Sequence, residues 1–159
     1  MPTPASWKAD ASAPSNVENL YRDIIVAASL TDTFAFFADA TNLQRLTPPW
    51  LRFSILTPMP VEMRAGLEIE YRISLYGLPI PWRSRIDVWE PGVCFVDRQL
   101  AGPYRWWRHE HRFEVVSGAT RVIDRVEYAP RVAWLTRRIV RRDLERIFDY
   151  RHEVLRRLF

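Results

Sequence analysis

The chain has 159 residues, 48% of them hydrophobic and 13% aromatic, with seven tryptophans, which suits one globular domain with a sizeable core and excludes a disordered chain. The formal net charge of +4 favours an anionic partner without requiring one. The single cysteine, Cys94, excludes an internal disulfide and a cysteine-based zinc site. With no signal-peptide pattern and no apolar run near the roughly 20 residues that span a bilayer, a soluble, cytoplasmic protein is expected.

Residues 1–18, rich in Pro, Ala, Ser and Asp and without periodicity, are expected to form a flexible tail, which leaves 19–159 as the domain. Leu20 to Ala28, with Ile24, Ile25 and Val26 in succession, predicts a strand. Ser29 or Thr31 can cap a short helix that places Asp32 in its first turn and buries Phe34, Phe37 and Ala38. Asn42 to Leu46 predicts a second short helix, ended by Pro48 and Pro49. A meander of strands follows: Arg52 to Leu56, then Leu67 to Leu75, in which Leu67, Ile69, Tyr71, Ile73 and Leu75 alternate with polar residues. Residues 77–81, GLPIP, read as a turn before a strand from Trp82 to Trp89 that puts Trp82, Ile86 and Val88 on one face.

The segment FVDRQLAGPYRWWRHEHRF, residues 95–113, reads as two strands about a turn at Gly102 and Pro103. In its second strand Trp107, His109, His111, Phe113 and Val115 alternate with a mostly charged set that includes Trp106, so both histidines sit on a mainly aromatic face. Such a face suits a pocket better than a dry core. A last strand runs from Thr120 to Tyr128. From about Val132 to Leu158 the period changes: Leu135, Ile139, Leu144, Ile147, Phe148, Val154, Leu155 and Leu158 recur at helical steps on one long amphipathic helix. The fold class is therefore α+β: two short helices after the first strand, then a curved antiparallel sheet wrapped around a long C-terminal helix, with a cavity between sheet and helix.

This order of elements resembles the helix-grip fold of the SRPBCC superfamily, which includes START-like lipid carriers, pollen-allergen-like proteins and polyketide cyclase/dehydrase proteins. LTPPWLRF at 46–53, the segment at 95–113, VIDRVEY at 122–128 and DLERIFDYR at 143–151 are similar to a bacterial cyclase/dehydrase-like subgroup. The resemblance covers residues 20–159 and implies binding, transfer or catalysis on a hydrophobic molecule. It also implies that Asp97 and Gln99 matter. Their face stays open, because each change of one residue in the loop after them swaps it, and the alternation of Cys94, Val96 and Leu100 puts Asp97 outward.

A tight turn at Ser117 and Gly118 pairs Val115 with Thr120 and Phe113 with Val122, and so places His111 opposite Asp124 and His109 opposite Val126. Three readings fit a histidine and an aspartate on the cavity face. They are a structural polar pair, a general acid/base dyad of His111 and Asp124, and a two-histidine, one-carboxylate metal set. The first is favoured, so no cofactor and no metal is expected. Tyr71, Trp82, Asp97, Gln99, Trp107, His109, His111, Phe113 and Asp124 are the candidate ligand-binding residues. The leading reading is a binder or carrier of a hydrophobic or amphipathic small molecule (lipid, quinone or polyketide-like). The alternatives are a polyketide cyclase/dehydratase using the His–Asp pair and a peripheral lipid-transfer protein. Arg137, Arg138, Arg141, Arg142 and Arg146 make a basic helix face on which membrane contact is expected to be weak at most; no nucleic-acid motif accompanies it.

Overall fold

A computed structural model describes residues 10–131 and 133–159, with 133–136 as backbone alone. Of the expected tail, residues 1–9 lie outside the described residues. Asp10 and Asn16 contact Arg98 and Arg105, and β1 begins at Glu18. The sheet is open, curved and antiparallel, in the order β1-β7-β6-β5-β4-β3-β2. Its strands are β1 (Glu18–Val26), β2 (Ser54–Ile55), β3 (Glu68–Leu75), β4 (Leu78–Glu90), β5 (Cys94–Ala101), β6 (Tyr104–Val116) and β7 (Ala119–Pro130). Between β1 and β2 lie α1 (Leu30–Ala38) and α2 (Leu43–Leu46), and α3 (Ala133–Leu158) follows β7. At 26 residues α3 is about 39 Å long and lies against the concave face. No helix among the described residues is long and apolar enough to cross a membrane.

Local chemistry explains most of these elements. Ser29 caps α1: its Oγ accepts from the Asp32 amide at 3.0 Å and donates to the Asp32 carboxylate at 2.7 Å. Phe34 and Phe37 are the buried face of α1. Ser117 and Gly118 both have positive φ, 51° and 82°, the two-residue hairpin turn whose twist matches the flanking strands. That turn fixes Val115 opposite Thr120, Phe113 opposite Val122, His111 opposite Asp124 and His109 opposite Val126, the expected register.

Four details differ from the sequence reading. The turn between β3 and β4 is only Tyr76 and Gly77, so Pro79 and Pro81 lie within β4. They are tolerated because this stretch of β4 overhangs β5 and needs no donor on that side. A bulge between Ile86 and Val88 moves Val88 to the convex face opposite Val96, and brings Trp89 round to the concave face beside Phe95. The strand expected from Arg52 to Leu56 shrinks to Ser54–Ile55, because Arg52 takes a left-handed conformation with φ 44°. On α3, Ile139 is exposed while Val140 faces the core, and the Leu135 side chain lies outside the described residues.

The concave face of the sheet is covered by the helices, while the convex face is buried only in part, with Tyr21 and Ile25 of β1 exposed. On the concave side, one apolar cluster joins Ile24, Val26, Phe34, Phe37, Phe95, Phe113, Val122 and Leu155, and a second joins Leu20, Phe53, Ile73, Trp82, Trp107, Tyr128, Leu144 and Phe148. On the convex side, Glu110 and Arg112 are also buried, joined at 2.8 Å, beside their cross-strand neighbours Val96 and Cys94. Burial pushes the Cys94 thiol up to about 11, which keeps it an inert core group.

Candidate functional site

A cavity of about 210 Å³ lies between the concave face, the α1–β2 segment and α3. Tyr71 on β3, Trp82 and Ser84 on β4, Trp107 on β6 and Leu144 and Phe148 on α3 supply much of its wall. The rings pack against one another: Tyr71 stacks on Trp82 at 5.7 Å, and Trp107 meets the edge of Trp82 at 5.2 Å. Three of the polar tips in this wall meet at Ser84. Trp82 Nε1 donates to Ser84 Oγ at 2.9 Å, and the Tyr71 hydroxyl lies 3.2 Å from the same oxygen. Burial, with the Asp97 charge, holds the Tyr71 phenol above its ordinary value, so it stays protonated.

One end of the cavity is polar. β5 pairs Phe95 with His111 and Asp97 with His109, so Asp97 shares the concave face with both histidines. The face of Asp97, left open by the sequence, is the concave one, opposite to that of Cys94 and Val96. Those two apolar residues are buried on the convex face, so their burial carries no information about which side faces the cavity. His111 Nε2 lies 2.9 Å from Asp97 Oδ2 and His109 Nε2 lies 2.8 Å from Asp124 Oδ1. Asp124 thus bonds the histidine diagonal to it more closely than His111, its direct cross-strand partner, whose Nδ1 is 3.4 Å away. Arg151 of α3 completes the group: its Nη2 lies 3.1 Å from His111 Nδ1 and 3.3 Å from Asp124 Oδ1, and its guanidinium sits over the Phe37 ring.

Proton positions follow from the donors. Arginine can only donate, so His111 Nδ1 accepts from Arg151 and His111 Nε2 carries the hydrogen that goes to Asp97. Burial raises the Asp124 carboxyl, but the Arg151 charge and the two imidazole contacts outweigh it and hold it well below the usual range. Asp124 is therefore an acceptor, and His109 donates to it through Nε2. Burial, chiefly, lowers His109 to about 4, so its Nδ1 keeps a lone pair at neutral pH. That nitrogen has no hydrogen-bond partner among the described residues; the nearest carboxylate oxygen, Asp97 Oδ2, is 3.8 Å away. Burial also works against the Asp97 charge, yet the His111 bond and the surrounding positive potential leave its carboxyl below 3.8.

Of the candidate residues, Tyr71, Trp82, Asp97, Trp107, His109 and His111 line the cavity; Gln99, Phe113 and Asp124 do not. Gln99 clamps the β5–β6 turn, donating to the Tyr104 carbonyl at 2.7 Å and accepting from its amide at 3.1 Å. A Cβ at Gly102 would come within 2.5 Å of that clamp. Phe113 is packed edge-on against Phe34 and Phe37. Asp124 is 1% exposed, behind the histidines. Sequence reasoning missed Arg151, Ser84 and Phe95, whose ring stacks on His111 at 4.1 Å. The signal for Arg151 was present: it falls on the apolar stripe of Leu144, Ile147, Phe148 and Leu155, where an arginine is out of place.

Asp97, His109 and His111 each offer one donor atom within 4.8 Å of the others, the only such trio among the described residues. A metal there would need the Nε2 proton of His111 removed, while Arg151 holds that proton in place by occupying Nδ1. The trio as arranged is a hydrogen-bonded network around one unengaged imidazole nitrogen. A neutral imidazole oriented by a carboxylate can accept a proton or a hydrogen bond from a molecule in the cavity.

A family model described as "Domain of unknown function (DUF8410)" matches residues 26–159. No curated protein matches the chain by sequence. Among solved structures, the chain is similar to the Zhui aromatase/cyclase from Streptomyces sp. R1128, at 18% identity and TM-score 0.71 over 87% of this chain and 91% of that one. It is also similar to protein CV1439 from Chromobacterium violaceum, at 12% identity and TM-score 0.69 over 88% and 96% of the two chains. The ginseng major latex-like protein 151 from Panax ginseng matches at 9% identity and TM-score 0.64 over 88% and 95%. At these identities the likeness establishes the fold, which is the helix-grip α+β fold that the SRPBCC resemblance implies.

Proposed function

The chain belongs to DUF8410, a domain family of unknown function, and from that premise we propose that it binds a hydrophobic or amphipathic small molecule between the sheet and α3. The observation that carries this reading is the cavity itself: mainly aromatic and aliphatic walls, and a polar cluster confined to one end. That division is the usual build of a small-molecule site, in which apolar area supplies affinity and a few polar groups fix orientation. Tyr71, Trp82, Trp107, His109, His111 and Asp97 are the proposed contacts. At about 210 Å³ the cavity suits a molecule of a ring or two. Nile red, an uncharged apolar dye, should bind saturably at one site. Ile147→Trp, which fills the cavity from α3, should abolish that signal while leaving the melting temperature near that of the parent. Unsaturable dye binding, or saturable binding untouched by Ile147→Trp, would remove the cavity from the reading.

A second reading, a cyclase or dehydratase acting on a polyketide-like carbonyl compound, is favoured by one observation: the His109–Asp124 dyad keeps Nδ1 of His109 as a lone pair beside the cavity. The base in that reading is His109, because both nitrogens of His111 are engaged. His109→Gln should then cost about 10²–10⁴ in rate on a poly-β-ketone substrate, with affinity held within about tenfold. Unchanged turnover would take His109 out of the chemistry. The lipid-transfer reading draws less support, since Arg137 is paired with Glu18 and Arg141 with Glu145 on the basic face that would meet a membrane.

A further inference from the structure

The polar end of the cavity is not an even mixture of donors and acceptors. The Nη2 of Arg151 is directed at His111 and Asp124, the Nε2 hydrogen of His111 at Asp97, and the Nε2 hydrogen of His109 at Asp124. Trp82 Nε1 is directed at Ser84. These hydrogens are used within the wall. At the polar end, what faces a molecule in the cavity is acceptor capacity: the lone pair of His109 Nδ1 and the carboxylate of Asp97, whose Oδ2 is 3.8 Å from that nitrogen. The charge points the same way. Asp97 and Asp124 bring two carboxylates against one guanidinium, Arg151; the donor pattern leaves His111 neutral and burial leaves His109 neutral, so one negative charge is in excess beside an apolar wall. Charge interactions are strong in such surroundings.

We infer that the cavity selects an apolar molecule whose polar group is a neutral, hydrogen-bond-donating hydroxyl (a phenol, an enol or a vicinal pair of them) seated between His109 Nδ1 and Asp97, and that it rejects the carboxylate of the same shape. This rests on the binding reading above and narrows it to a ligand class. A phenol donates to the two acceptors at the polar end. A carboxylate offers acceptors to acceptors and adds a second excess negative charge. An ammonium would satisfy the acceptors but must leave water for a wall that is otherwise apolar.

The test is a titration at neutral pH with four matched two-ring probes: naphthalene, β-naphthol, the vicinal naphthalenediol and β-naphthoate. Trp82 and Trp107 in the cavity wall make tryptophan fluorescence the readout. β-Naphthol and the diol should bind at least about tenfold tighter than naphthalene, the effect of one hydrogen bond to a charged or well-placed acceptor. β-Naphthoate should bind weakest of the four. Asp97→Asn should narrow the gap between β-naphthoate and β-naphthol by about tenfold. His109→Phe should reduce the advantage of β-naphthol over naphthalene while naphthalene itself still binds. If His109→Phe does not fold, the Asp97→Asn series and the four parent affinities decide the matter. Equal affinity for naphthalene and β-naphthol, or β-naphthoate as the tightest ligand, would overturn the inference and leave the binding reading standing. If none of the four binds, both fall.

Discussion

The concave face of the sheet has two halves built from the same kind of strand and put to different uses. In the half under α1, Phe34 packs onto Phe113, Leu155 of α3 closes from the other side, and the space is filled, while Phe37 and Phe95 reach the edge of the cavity. In the half under α2 and the middle of α3, Tyr71, Trp82, Trp107 and Phe148 surround a cavity. The strands alternate alike in both halves. The difference comes from the covering elements: α1 is nine residues long and carries two inward phenylalanines, whereas α2 is a single turn of four. Whether a sheet face becomes core or pocket is thus decided by what is laid over it. His109, His111, Asp97 and Arg151 sit at the boundary between the halves.

The largest expected effects test that division by stability. Phe113→Ala, in the filled half, should cost about 3–5 kcal/mol by chemical denaturation, since its neighbours are fixed and leave a cavity behind. Ile73→Ala, in the cavity wall, should fall at the low end of about 2–5 kcal/mol, because one side of Ile73 already faces open space. Equal losses at the two sites would mean that the halves are packed alike. Asp124→Asn should cost about 3 kcal/mol or more, because Arg151 and His109 lose a fully buried carboxylate. Asp97→Asn should cost only about 1 kcal/mol, since an amide oxygen still accepts from His111 and the site opens to the cavity.

Between the filled half and the cavity lies His109, and its titration gives the next effect. Its value is about 4 in the fold against 6.5 as a free side chain, so as pH falls from about 6.5 to about 4 the unfolded chain takes a proton that the folded chain refuses. Stability should fall by up to about 3 kcal/mol across that window, and His109→Gln should flatten the slope. His152, also lowered by burial, contributes in the same direction. Asp97 and Asp124, both held below 3.8, lose their contribution only below the window. A parent protein whose stability is level between pH 6.5 and 4 would contradict the neutral imidazole.

The smallest expected effect concerns metal. With Arg151 on Nδ1 of His111, millimolar zinc should shift the melting temperature by less than about 2 °C. A shift above about 5 °C would show that Asp97, His109 and His111 reorganise into a metal site and would require a different account of the polar end.

The sequence made some of this legible and hid the rest for physical reasons. The β6–β7 register could be read because Ser117–Gly118 is a turn of one length, and it correctly placed His111 opposite Asp124. The face of Asp97 could not, since Cys94 and Val96 are apolar and buried on the convex side, where alternation looks the same as on the concave side. Val88 was misplaced by a bulge, which no apolar pattern announces. Phe113 was assigned to the cavity because its strand could not reveal the helix above it. Pairing by register also differs from pairing by side chain: Asp124 leans along the strand to His109 and also meets Arg151, which is 27 residues further along the chain on another element.

The central claim, that the half-face under α2 is a binding cavity and the half-face under α1 is core, is tested most directly by an N–H correlation spectrum of the labelled protein titrated with β-naphthol. Saturable shifts are expected of the Trp82 and Trp107 indole N–H signals and of the Asp97 and His109 amides, with the Phe34, Phe113 and Leu155 amides unmoved. Shifts centred on Phe34 and Phe113, or shifts that are small, uniform and unsaturable over the whole spectrum, would contradict it.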